Sequence, residues 1–239
     1  MKKTIDRLHS SDVTPAKFHK LYFLPERPVV LKQVCRDWLA SENWTPDFLK
    51  KETLSGQLLK ERYWYETRPG YERQAYQIPD VVTQSLSSEH SYIRETFVRI
   101  FANAKGNVTP FHNDANLLFV FSVQLKGRKK WRIVSTDTPI PKYSFTQIPF
   151  LDFNKTPDIE EISKKYDIYE FDLEEGEMLF LPHLWSHHVE SLEDWNVNLN
   201  WVGTKNNHHV HTSSFTREKE LLSLFSRLNR FPVGRKLVT

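Results

Sequence analysis

Between positions 106 and 131 the chain reads GNVTPFHNDANLLFVFSVQLKGRKKW, and two side chains in it invite chemistry: His112 and Asp114. Residues two apart in an extended strand face the same side. An imidazole nitrogen and a carboxylate oxygen so placed can share one metal ion, and a facial site asks for a third donor. The candidates lie far downstream in GEMLFLPHLWSHHVESL, where a turn at Gly176, a strand and Pro182 lead into His183, His187 and His188. Two histidines and a carboxylate on one face of an octahedron leave three positions open, which suits non-haem Fe(II) that must take both a cosubstrate and O2. A structural zinc site would be closed and would draw on cysteine, and Cys35 is the only cysteine in the chain. A lone His-x-Asp arises often from ordinary capping. It carries weight here because the later histidines sit at the edge of another strand of the same β-rich series.

That series must position the donors. From residue 92 onward YIRETFVRIFAN, LLFVFSVQLKG, KKWRIVST, DIYEFDLEEGEMLFLP, HHVESL and WNVNLNWVG are β-rich runs broken by turn residues, at the spacing of a sandwich or barrel. Strands as apolar as LLFVFSVQL are expected to be buried on both faces. Residues 137–166 read as an insertion, helical around DIEEISKKY. Ahead of the strands, TPAKFHKLYF has helical spacing after a Thr14-Pro15 start, and RPVVLKQV is a β-rich run behind proline. NWTPDFLKKETL pairs a cap with an amphipathic stretch. Beyond them, TREKELLSLFSRLNR sets Leu221, Leu222, Phe225 and Leu228 on one stripe, with Thr216 as cap and Pro232 as stop. That helix either packs on the domain or makes a homodimer contact. The expectation is one mainly β domain over 1–239: strand core about 92–203, helical flank 1–91, terminal helix about 216–230.

Composition narrows the class. Seven tryptophans and sixteen phenylalanines against seven glycines fit a packed globular core rather than a low-complexity chain. One cysteine excludes an internal disulfide and fits a reducing compartment. The opening MKKTIDRLHSSD has no apolar run behind its lysines, and no apolar segment is long enough to span a bilayer. A cytoplasmic protein without a membrane partner is expected. The net charge of +3 names no partner. KGRKKWR, the densest basic run, reads as a solvated hairpin tip, so no nucleic-acid partner is expected.

GNVTPFHND, VQLKGRKKW and GEMLFLPHLWSHHVESL together resemble the JmjC or cupin-like family of Fe(II)- and 2-oxoglutarate-dependent oxygenases. RPVVLKQVCRDW near the start also looks like the family's entry to its domain, so the resemblance covers roughly residues 15–203. It implies a double-stranded β-helix, the jelly-roll or cupin barrel, and it implies His112, Asp114 and His187 as the metal ligands, since the family's third ligand is the first of its histidine pair. The implied cofactors are Fe(II) and 2-oxoglutarate. The implied reaction is hydroxylation of a C–H bond on a peptide or protein side chain or a small metabolite, with 2-oxoglutarate converted to succinate. Demethylation is the outcome when the carbon is an N-methyl group.

A dicarboxylate that chelates iron with its keto-acid end leaves a second carboxylate to be neutralised deeper in the pocket. Gly127-Arg128 suits a two-residue hairpin loop. Such a hairpin would pair Lys126 with Lys129, Gln124 with Trp131 and Ser122 with Ile133, and would collect Ser122, Gln124, Lys129 and Trp131 on one face. By resemblance Lys129 binds the distal carboxylate and Thr109 helps to hold it. Ser122 stands where the family often has asparagine, and Asn200 matches a family asparagine near the cosubstrate. Asn196, Asn198 and Asn200 alternate along the last strand, facing either buried partners or solvent. NNHHVH (206–211) has no carboxylate and reads as a polar loop, while ERYWYETRPGYERQAY (61–76) either lines a pocket mouth or forms a surface hairpin. The rival function is a non-enzymatic cupin that binds a ligand or partner protein. A second rival, a cupin enzyme using metal without 2-oxoglutarate, would not need Lys129.

Overall fold

The computed structural model describes residues 2–35, 38, 44–46, 63–68, 76–87, 91–92, 98–112, 114, 118–135, 138 and 159–205. The flank holds β1 (Lys2–Lys3), β2 (Asp6–His9), α1 (Pro15–Phe18), β3 (Val29–Lys32), β4 (Tyr63–Arg68), α2 (Asp80–Ser87) and β5 (Ser91–Tyr92). Next come β6 (Val98–Asn103), β7 (Val108–His112), β8 (Leu118–Lys126) and β9 (Lys129–Val134). The helix α3 (Ile159–Lys165) precedes β10 (Ile168–Leu173), β11 (Met178–Leu181), β12 (Ser186–Ser191) and β13 (Asn196–Lys205).

One sheet has the order β1-β10-β9-β12-β7 and the other β2-β3-β11-β8-β13-β6-β4, with β5 beside β13. From β6 to β13 the chain changes sheet at every connection except β9 to β10. Eight strands wound in this way, four to a sheet, make the double-stranded β-helix, or jelly roll. The inner faces of both sheets therefore look onto one interior, where Val120, Trp131, Ile133, Leu173, Leu179 and Leu181 form a buried cluster.

The uninterrupted apolar run of β8 follows from burial on both sides. Val120 and Ser122 look inward, while Phe119, Phe121, Val123 and Leu125 join an outer cluster with Phe18, Phe23, Val82 and Leu86. Phe18 tilts against Phe121 at 5.7 Å, and Phe23 meets Phe119 edge-on at 5.1 Å. Such aromatic pairs add to the burial of their area. The helix that supplies Phe18 starts as its sequence suggests: Thr14 Oγ1 accepts the Lys17 N–H at 3.3 Å, and Pro15 opens the first turn. It then widens to a π-helical turn over His19–Phe23, which brings Phe23 onto the sheet.

Two features differ from the sequence expectation. The N-terminal strands β1 and β2 join parallel to β10 and β3, although KK and DRLH are too short and polar to show alternation. Arg7 on β2 holds them by donating to both carboxylate oxygens of Glu177 at 2.6 Å and to the Asp172 carbonyl. The expected hairpin of β8 on β9 is not formed. Instead β8 pairs with β11 and β13, and β9 with β10 and β12. Gly127-Arg128 is a corner between sheets, held by the Arg128 N–H on Asn196 Oδ1 (3.0 Å) and the Leu192 N–H on the Arg128 carbonyl (3.0 Å). Ser122, Lys129 and Trp131 still share one cavity, because facing sheets turn their inner residues to the same space.

The stretch 216–230 expected to be helical, the 206–211 histidine run, residues 47–60 and 139–158, and residues 61–62 and 69–75 of the aromatic stretch lie outside the described residues.

Gly127 has φ +69°, and a Cβ there would meet the Trp195 carbonyl oxygen and lie 2.7 Å from Asn196 Oδ1. Gly106 has φ +77° but open space around it. Gly127→Ala is expected to cost about 2–4 kcal/mol in equilibrium denaturation, combining backbone strain and a clash, against about 1 kcal/mol for Gly106→Ala. Equal losses would show that the corner yields.

Candidate metal centre

The site begins with a register. β12 pairs antiparallel with β7 so that His187 lies opposite His112, and the next matched pair is Val189 with Thr109. One extra residue on β7 is a bulge. It falls where Pro110 removes a donor, which an edge strand at a bulge tolerates. His112 Nδ1–H donates to the Pro110 carbonyl at 2.7 Å and His187 Nδ1–H to the Trp185 carbonyl at 3.2 Å. A carbonyl only accepts, so each bond places the proton on Nδ1 and leaves Nε2 with its lone pair facing inward. The rings stand 4.3 Å apart.

Asp114 Oδ1 is 3.8 Å from His112 Nε2, and the three donor atoms of His112, Asp114 and His187 lie within 4.8 Å of one another. Donors this close together could be shared by one ion. Burial, then the neighbouring His112, lowers the His187 pKa to about 4, which keeps this imidazole neutral near pH 7, the form that binds metal. Trp131 lies against its other side, ring centroids 5.7 Å apart. The other downstream histidines go elsewhere. His188 accepts from Arg132 Nη1 at 3.3 Å, beside a 2.7 Å bond from Arg132 Nε to Glu170. His183 is buried 3.7 Å from Glu26.

The cavity beside these three residues has a volume of about 110 Å³. One water needs roughly 10–15 Å³ on this measure, so a small organic acid fits. Its lining includes Thr109, Ser122, Lys129, Trp131 and Asn200 as well as the three donors. Lys129 is 4% exposed, and its ammonium donates to Asn103 Oδ1 at 2.6 Å. Burial alone pulls its pKa down to about 7. Trp131 Nε1, buried in the same wall, finds no acceptor among the described residues. A dehydrated ammonium at one end, two imidazoles and a carboxylate at the other, and an indole N–H in the same lining fit an anion bridging toward a metal.

Asn196 and Asn198 face the interior and are buried, so the polar side of the last strand is not solvent-facing. Asn198 Nδ2 donates to Gln124 Oε1 at 2.6 Å and Ser122 Oγ at 3.3 Å. Asn103, Phe101 and Arg99 were not foreseen as lining residues. Their signal was the alternation in VRIFAN: once Asn103 faces Lys129, its neighbours two and four positions back face the same way.

A jelly roll with two histidines and a carboxylate at the mouth of a polar-ended cavity defines a class of metal-site β-barrels. Residues 73–209, more than half of the chain, match the JmjC domain model, and the chain belongs to the JmjC family. It is 32% identical over 113 residues to mouse 2-oxoglutarate and iron-dependent oxygenase JMJD4, covering 43% of this chain and 26% of that protein. It is 21% identical over 272 residues to Arabidopsis thaliana arginine-specific demethylase JMJ20, covering 84% and 58%. Human HSPB1-associated protein 1 matches at 32% over 123 residues, covering 46% and 24%. The matches thus span from about a quarter to under two thirds of the length of these relatives.

The folded pKa of Lys129, about 7, lies below the unfolded 10.5. The unfolded chain therefore binds more protons between these values, and stability rises with pH across that window. Lys129→Met is expected to raise the thermal midpoint of the metal-free protein, most at or below pH 7 and progressively less toward pH 10.5. A lower midpoint at pH 7 would show that the ammonium is stabilising where it stands.

Proposed function

We propose that this chain is an Fe(II)- and 2-oxoglutarate-dependent oxygenase that hydroxylates a C–H bond of a peptide or protein side chain or a small metabolite. The observation that carries the reading is the buried ammonium of Lys129 at one end of a small cavity whose other end is the face of His112, Asp114 and His187. A buried cation without a carboxylate causing its shift is a cost to the fold, and an arriving dicarboxylate turns that cost into affinity. The names of the JMJD4 relatives support the same chemistry. A non-enzymatic ligand-binding barrel would have no use for the three converging donors.

In this reading His112, Asp114 and His187 would hold Fe(II), and the Nδ1 bonds of the two histidines to Pro110 and Trp185 fix which nitrogen is left for it. Lys129 and Thr109 hold the distal carboxylate of 2-oxoglutarate, with Ser122 and Asn200 on the opposite sheet nearer the keto-acid end. When bound, iron and cosubstrate supply an oxidant from O2 that hydroxylates carbon as 2-oxoglutarate becomes succinate and carbon dioxide. Phe101, Val120, Leu181 and Val202 line the remaining wall and exclude water. Asn103 keeps Lys129 directed along the cavity floor. Among the described residues no helix is long and apolar enough to cross a membrane, and the single, buried Cys35 fits a cytoplasmic setting.

Anaerobic addition of Fe(II) and 2-oxoglutarate is expected to give a visible charge-transfer band that His112→Ala abolishes. Lys129→Ala should weaken cosubstrate binding roughly ten- to a hundredfold, the loss of about 1.5–3 kcal/mol from one charge-assisted bond. Parent-like affinity in that variant would remove Lys129 from the site. The pH profile follows from the same group. Below about pH 7 the lysine is already charged and affinity is flat; above it, binding must take up a proton, so apparent affinity falls about tenfold per pH unit. Calorimetry in two buffers of different ionisation enthalpy measures that uptake.

A further inference from the structure

The connection that leads into His187 is one turn of four residues. β11 ends at Leu181 in one sheet and β12 begins at Ser186 in the other, so residues 182–185 carry the chain across and bring the Trp185 carbonyl to His187 Nδ1, 3.2 Å away. The turn closes loosely, with the Trp185 N–H 3.5 Å from the Pro182 carbonyl. Its third residue, Leu184, has φ +62°, where a type II turn calls for glycine or asparagine. A bulky side chain in that conformation strains the backbone. The turn therefore needs support from outside itself.

His183, the second residue of the turn, is where that support arrives. Its side chain is 1% exposed, and its Nε2 lies 3.7 Å from a carboxylate oxygen of Glu26, itself 9% exposed. Glu26 belongs to the N-terminal flank and ends the π-helical turn. There the Arg27 N–H donates to the Tyr22 carbonyl at 2.9 Å and the Glu26 N–H to the Phe23 carbonyl at 3.3 Å, the paired closure of a Schellman motif. Glu26 holds its left-handed position at φ +58°, where glycine is the usual residue. Two turns that touch thus each carry a side chain where glycine would be easier. Glu26 and Trp185 also line one surface cleft, so the flank turn abuts the turn before the ligand. Resting on the reading of His112, Asp114 and His187 as a metal site, we infer that Glu26 is a positioning residue for that site, acting through His183 on the turn that sets His187. Without the carboxylate the strained turn relaxes, and the Trp185 carbonyl no longer fixes the His187 proton on Nδ1. The flank, which supplies no ligand, then shapes the centre.

The test measures metal affinity of the metal-free protein, with Mn(II) alone as the probe and the paramagnetic resonance signal of the unbound ion as the readout. Glu26→Gly removes the carboxylate and puts the usual residue at the left-handed position, so the fold and its thermal midpoint should be kept while Mn(II) affinity falls about tenfold. In a His187→Ala background the same substitution should change Mn(II) affinity less than about twofold, because the ligand it acts through is gone. Should Glu26→Gly fail to fold, Glu26→Gln takes its place in the same measurements. Parent-like Mn(II) affinity in the folded variant, or an equal loss in the His187→Ala background, overturns the inference and leaves the metal site standing. A parent that takes up no Mn(II) overturns the metal site, and the inference with it.

Discussion

The centre depends on one cross-strand pairing. With His187 opposite His112 between β12 and β7, two imidazoles separated by many residues in sequence stand ring to ring. A slip of one residue would turn His188 inward and His187 outward, since side chains alternate across a strand. The register is defended on the outer face as well, where His188, Arg132, Glu170 and Glu190 join across three adjacent strands. The backbone carbonyls of Pro110 and Trp185 then set the tautomers. Local chain and sheet pairing therefore agree on where the lone pairs point, before any ion arrives.

The opposite end of the cavity works by tension rather than agreement. Among the described residues the Lys129 ammonium, withdrawn from water, meets the neutral Asn103 amide oxygen, and its lowered pKa expresses what that burial costs. Natural proteins keep such costs where binding needs them. The flank helps to meet them, because the aromatic layer of Phe18, Phe23, Phe119, Phe121 and Phe180 covers the back of the sheet that carries Ser122 and Asn200. That layer also explains why a strand lining a polar cavity is apolar at nearly every position.

Much of this was legible from residue order. The strand series, the helix start at Thr14-Pro15 and the helix within 137–166 follow from periodicity, caps and turn residues; Ser122, Lys129 and Trp131 do share one space, but through facing sheets rather than the expected hairpin, and Gln124 is not among the residues shown to line it. The hairpin was misread because Gly127-Arg128 satisfies a tight turn and a sheet-to-sheet corner equally well; only the Asn196 amide that receives Arg128 decides between them. Strands β1 and β2 escaped notice because their partners, not their own sequences, make them strands.

By itself the sequence determined which groups are available: an imidazole and a carboxylate two apart at a strand end, a later histidine pair, and a lysine behind a glycine. Those are local matters of residue type and alternation. Which histidine of the pair faces inward, that Lys129 is dehydrated rather than solvated, and that Arg99 lines the same cavity were decided only by the tertiary structure. Each depends on the register between strands distant in sequence and on which sheet lies opposite, and no local pattern encodes either.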